Sequence, residues 1–130
     1  MKKFIVLLAV ALMPLMIQAK DIYTFRLTEM ATKQKTGNRW GNWTDWEKID
    51  EVAVINIDRL KIYLGDSSYT ITKCGETEEQ KDGGVILNFN CYDNDNDDCN
   101  VRLRVTGDGD WQMYLDYDSF SIALNMEEME

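Results

Sequence analysis

The chain has 130 residues, room for one domain, and 45% of them are apolar, 28% charged and 11% aromatic. That composition excludes a disordered tail, a collagen-like fibre and a polytopic membrane protein. Histidine is absent, which removes His-based triads, His general bases and His-containing zinc sites.

Lys2 and Lys3 open the sequence. An apolar run from Phe4 to Ile17 follows, interrupted only by Pro14, before Gln18-Ala19 leads into Lys20-Asp21. A charged start, a short apolar stretch and a small residue before polar ones describe a secretory signal peptide. The run is shorter than the roughly 18 to 20 residues a spanning helix needs. The expectation is an export signal over residues 1–19, a single domain over 20–130, a periplasmic or secreted location, and no membrane span after cleavage. No cysteine lies near the cut, which argues against a lipid anchor. Cleavage would take the 14 basic residues to 12 against 23 acidic ones, a net charge of −11. Such a balance disfavours nucleic acid and anionic membrane as partners. It fits a protein that repels its own copies or one that collects cations.

Period-two alternation then recurs along the chain. Tyr23, Phe25 and Leu27 share one face of a first strand. Ala53, Ile55 and Ile57 form another, and Leu60, Ile62 and Leu64 a third, linked by Asp58-Arg59. Thr36 to Asp50 reads as a long connection with room for one helical turn. Tyr69 and Ile71 mark a strand with Thr70 and Thr72 on its other face. In the second half, the apolar faces are Val85 to Cys91, Cys99 to Val105, Trp111 to Tyr117 and Phe120 to Met126, separated by Asp-, Asn- and Gly-rich turns. About eight short strands joined by short turns predict an all-β domain, a small antiparallel meander. Each strand has one apolar face, so the sheet must form a sandwich or a closed barrel.

Three cysteines stand at positions 74, 91 and 99. Cys91 and Cys99 fall on inward faces of adjacent expected strands, so in an oxidising compartment they are the expected disulfide. Closing that small loop would contribute roughly 2.5 kcal/mol in the chain-entropy view. Cys74 lies on the face opposite its strand's apolar residues and is the expected odd thiol.

Between the two paired cysteines lies Tyr92-Asp93-Asn94-Asp95-Asn96-Asp97-Asp98. Oxygen ligands at alternate positions are what calcium needs, so Asp93, Asp95, Asp97 and Asp98 are the candidate metal ligands. The twelve-residue helix–loop–helix calcium motif fails, because Asp98 stands where glycine is required and Arg104 where glutamate is required. The competing reading is a solvated turn, since Asn and Asp build turns through their own side-chain hydrogen bonds. Asp108 and Asp110 would join such a site only if their turn lies at the same end of the sheet. No motif implies any cofactor other than calcium.

Trp40, Trp43 and Trp46 recur at three-residue intervals, next to Arg39, Asp45 and Glu47. The W-x-x-W-x-x-W run resembles the thrombospondin type 1 repeat, in which indoles stack with arginines. The resemblance covers Trp40 to Trp46 alone, and that module's cysteine framework is missing, so neither its fold nor its function is carried over. An indole buries much area, so these three residues either lid the core or form a ligand-binding platform.

Acids such as Asp45, Asp50, Asp116 and Asp118 are plentiful, but none stands in a catalytic motif. The chain is therefore read as an exported, non-catalytic binding module whose partner is a protein, a glycan or a small apolar ligand. The alternative is a calcium-stabilised structural protein of the cell envelope. Oligomeric state is not encoded in any feature of the sequence.

Overall fold

The computed structural model describes residues 22–129; the expected export signal lies outside them. Nine strands run in chain order: β1 Ile22–Thr36, β2 Arg39–Trp40, β3 Glu47–Asn56, β4 Lys61–Leu64, β5 Ser67–Glu79, β6 Val85–Asp93, β7 Asp98–Val105, β8 Trp111–Asp116 and β9 Phe120–Met129. Each strand from β3 onward pairs antiparallel with the next, and β9 pairs back onto β1. The meander thus closes into an eight-stranded antiparallel barrel. β2 is a two-residue appendage on β1.

An eight-stranded barrel is just wide enough for its own side chains to fill, and here they do. Phe25, Ile62, Val101 and Met113 are fully buried, and Leu27, Ile55, Ile71, Leu103, Leu115, Leu124 and Met126 complete the lumen. Trp111 closes against Phe25 with ring centroids 4.9 Å apart. These are the period-two faces visible in the sequence.

Three hairpins share one turn. In each, the first residue's N–H donates to the carbonyl of the fifth, and its own carbonyl accepts from the fourth: Gln80–Gly84, Asp93–Asp97 and Thr106–Asp110. The fourth residue lies in the left-handed region, and it is Gly83, Asn96 or Gly109, the residue types that tolerate it. The turns after β3, β5 and β7 lie at one end of the barrel; those after β4, β6 and β8 lie at the other.

Several local expectations are corrected. The stretch from Thr36 to Asp50 holds no helical turn: β1 runs to Thr36, a tight turn leads to β2, and β3 begins at Glu47. Leu60 is not a strand residue; it sits exposed in a turn with φ of 56°. The disulfide expected between Cys91 and Cys99 is not formed. Both thiols are free, although the two residues are direct cross-strand partners. Stepping two residues from the Asp93–Asp97 hydrogen bond of 3.0 Å makes theirs a hydrogen-bonded pair. Cα atoms at such a pair stand about 5.5 Å apart, within the range a disulfide spans, so the free thiols do not follow from the spacing. Burial pushes both thiols up to about 12, so at neutral pH they are protonated, apolar lumen residues. Cys74 is exposed as expected. However, irregular pairing between Ile71 and Lys73 shifts its register, so that it stands opposite Phe89.

Candidate functional site

The acidic loop is built as a turn. Asp93 Oδ1 accepts the backbone N–H groups of Asp95 and Asp97, both at 2.9 Å, and Oδ2 accepts the Tyr117 hydroxyl at 2.8 Å. The Asp97 N–H leads in holding the Asp93 carboxyl below its ordinary range, with Tyr117 and the Asp95 N–H adding to it against some desolvation. Tyr117 lies 3.4 Å from the Tyr69 hydroxyl and stacks on Phe120 at 4.4 Å. Burial raises both phenols above their ordinary value. Together they plug this end of the lumen. Both Asp93 oxygens are therefore engaged within the protein. Among the described residues, no group of three or more Cys, Asp or Glu side chains is placed to hold a metal ion. Asp108 and Asp110 belong to the β7–β8 turn at the opposite end, too far to join Asp93, Asp95, Asp97 and Asp98.

A shallow groove of about 420 Å³ crosses the outer wall from β5 to β8 beside this loop, lined by Thr72, Asn90, Asn100, Asp98, Asp116 and Asp118. Asp116 is committed there: it accepts Arg102 at 2.6 and 3.2 Å and the Ser121 hydroxyl at 2.6 Å.

The tryptophans lie elsewhere, on the outside of the barrel. Trp40, Trp43 and Trp46 are 43%, 39% and 44% exposed, so they neither fill nor lid the lumen. Their position follows from a β-bulge. Pairing of β1 with both its neighbours slips between Leu27 and Glu29, which turns Met30 inward opposite Leu124 and Ala31, Lys33 and Lys35 outward. Beyond Met30, β3 no longer covers β1. The segment after β2 takes that free edge. Gly41 N–H donates to the Gln34 carbonyl, Thr44 N–H donates to the Thr32 carbonyl, and Thr32 N–H donates to Thr44 Oγ1, at 2.8, 2.8 and 2.9 Å. Backbone bonds thus pin the tryptophan segment to the wall.

Under it runs a cross-strand row: Ala31 pairs with Ala123, Ala123 with Tyr114, and Tyr114 with Arg102. Two alanines give a low floor, and the larger side chains rise around it. Ala31, Ala123, Trp43, Thr44, Trp46 and Tyr114 line a cleft of about 240 Å³. Trp43 and Tyr114 face each other with centroids 6.2 Å apart. Lys33 Nζ lies 4.8 Å from the Trp43 ring and 5.1 Å from the Trp40 ring, Lys35 Nζ lies 5.9 Å from Trp40, and the Arg102 guanidinium lies 4.4 Å from Tyr114. Cation and ring alternate along the face, with lysines from β1 between the indoles.

The neighbouring row is fixed by side-chain hydrogen bonds. Asn125 donates to Glu29 at 3.0 Å, Gln112 donates to Asn125 at 2.8 Å, and Tyr114 donates to Gln112 at 2.9 Å. That chain holds the Tyr114 ring as one wall of the cleft. Lys33, Tyr114, Ala31 and Ala123 were not singled out by the sequence reading. The alternation of Lys33 and Lys35 was visible, but not the bulge that decides their face.

No protein-family model, characterised protein or solved structure matches the chain. The geometry alone carries the functional reading.

Proposed function

We propose that the protein is a non-catalytic binding module that engages its partner through the outer-wall face formed by Trp40, Trp43 and Trp46 with Tyr114. The observation that carries this reading is the cleft itself: half-exposed indoles held over an alanine floor by backbone hydrogen bonds. Leaving large aromatic area in water is unfavourable by roughly 25 cal/mol per Å², and rigid aromatics around a concave site supply most of the affinity where partners bind. The filled lumen supports an outer-wall site over a carrier of small apolar ligands, since Phe25, Ile62 and Met113 occupy the space such a ligand would need.

The experiment is an NMR titration of the isotope-labelled protein with a panel of oligosaccharides and peptides, following the four indole N–H signals. Trp111, packed in the barrel, is the internal reference. A partner of this site moves the Trp40, Trp43 and Trp46 signals and leaves Trp111 in place. A panel that moves none of the three, or a ligand that moves Trp111 and lumen methyls instead, would sink the outer-wall reading.

A further inference from the structure

We infer that the ligand of this face is an acidic polysaccharide, whose sugar rings lie against the indoles while its carboxylates or sulfates meet Lys33 and Lys35; the inference rests on the outer-wall reading above. Its basis is charge. The whole chain carries 23 acids against 14 bases, yet the stretch from Lys33 to Thr44, which holds Trp40 and Trp43, contains three bases and no acid, and acids return only at Asp45 and Glu47 on either side of Trp46. Among the described residues, the ion pairs are Arg26–Asp50 and Arg102–Asp116; Lys33, Lys35 and Arg39 have no carboxylate partner. Arg102, in the cleft's own row, is neutralised by Asp116, so the net positive charge is confined to the Trp40–Trp43 side. Contact with a ring face leaves an ammonium its charge and its N–H donors. The ammoniums of Lys33 and Lys35 stand beside the indoles, within 6 Å of ring centroids. A ligand complementary to this surface needs a ring with an apolar face and an anionic substituent one side-chain width away. Repeating acidic sugars present both along one strand.

Two other anionic partners combine charge with an apolar part, and the rest of the molecule counts against them. A bilayer surface is broad, and an acidic protein brought flat to it would be repelled outside the patch. Single-stranded nucleic acid stacks on aromatics, but it carries a charge at every phosphate and binds through long basic grooves. This patch is a short basic island in an acidic surface. A flexible polysaccharide strand can touch the island and leave the remainder in water.

The test compares the full chain's affinity for a uronic-acid oligosaccharide, a neutral glucose oligosaccharide of equal length, a thymidine oligonucleotide and phosphatidylglycerol vesicles, by calorimetry at low salt. The expected result is an acidic oligosaccharide bound about tenfold or more tighter than the neutral one. Lys33→Gln with Lys35→Gln should abolish that preference, the acidic affinity falling to that of the neutral sugar for the same variant; both side chains reach solvent, so the variant folds. Trp43→Ala should weaken both sugars. Equal affinity for acidic and neutral sugars overturns the inference while the outer-wall reading stands. A preference for oligonucleotide or vesicle over the acidic sugar overturns it as well. If the indole signals respond to none of the four, the inference falls, and the outer-wall reading falls with it only if the peptides of the wider panel leave those signals unmoved as well.

Discussion

Asp93 shows how one residue can satisfy a motif's spelling and serve another purpose. Its side chain accepts two backbone N–H groups from the turn it opens and the Tyr117 hydroxyl from the barrel's end. Desolvation of the carboxylate acts against ionisation. The Asp93 carboxyl is nonetheless held below its ordinary range, so the hydrogen bonds outweigh that cost. A carboxyl with a depressed folded pKa contributes stability above its unfolded value, about 3.9, and the contribution disappears as pH falls through the folded value. Asp93→Asn retains an oxygen for the turn and loses the charge. Thermal unfolding of the two proteins should therefore differ in favour of the wild type at neutral pH, with the gap shrinking below about pH 4. A gap independent of pH would mean that the turn needs only the oxygen.

At the level of elements, the turns and bulges hold the decisive geometry. The β7–β8 turn contains two glycines required for different reasons. Gly109 is in the left-handed region at φ 91° with open space where a Cβ would point. Gly107 packs against the β5–β6 turn, where a Cβ would come within 1.9 Å of the Asp82 carbonyl oxygen. Gly109→Ala should cost about 1–2 kcal/mol for the left-handed conformation, whereas Gly109→Asn should recover most of it. At Gly107, both Ala and Asn should destabilise by about 1–3 kcal/mol or more, because the clash is with backbone. Denaturant unfolding of the four variants checks the pattern, and recovery by Asn at position 107 would contradict it.

The same elements explain what could be read in advance. Alternation marks each long strand because one face of every strand fills the lumen and the other meets water. It fails where the ladder slips. After Leu27 the next inward apolar residue is Met30, three positions on, because of the bulge, and the outward face of Ala31, Lys33 and Lys35 is lost to any strict period of two. The tryptophan spacing was legible, but its position was not, since Thr44 and Gly41 dock on an edge that exists only because β3 stops short. Cys91 and Cys99 were correctly placed side by side. The two thiols are nonetheless free, which their spacing in the sequence does not reveal.

For the whole molecule, charge acts on the fold and on the proposed binding in opposite directions. A net charge of −9 destabilises a small closed barrel through self-repulsion, and salt screens it over a Debye length of about 8–10 Å at moderate ionic strength. The favourable pairs that salt also screens are few among the described residues. Arg26–Asp50 is largely exposed, with side chains 51% and 82% accessible, and such pairs contribute about 0–1 kcal/mol. Arg102–Asp116 is two-pronged and partly buried, which shields it in part. Repulsion should therefore dominate, and the unfolding temperature should rise by a few degrees, roughly 2–4 °C, on going from low to moderate salt. A fall in that temperature would show that local pairs outweigh the long-range field. The same added salt should loosen an acidic ligand from Lys33 and Lys35 while hardly altering a neutral one. Stability rising with salt while acidic-sugar affinity falls is the combination expected of a basic island on an acidic barrel; a uniformly mixed surface would give neither trend strongly.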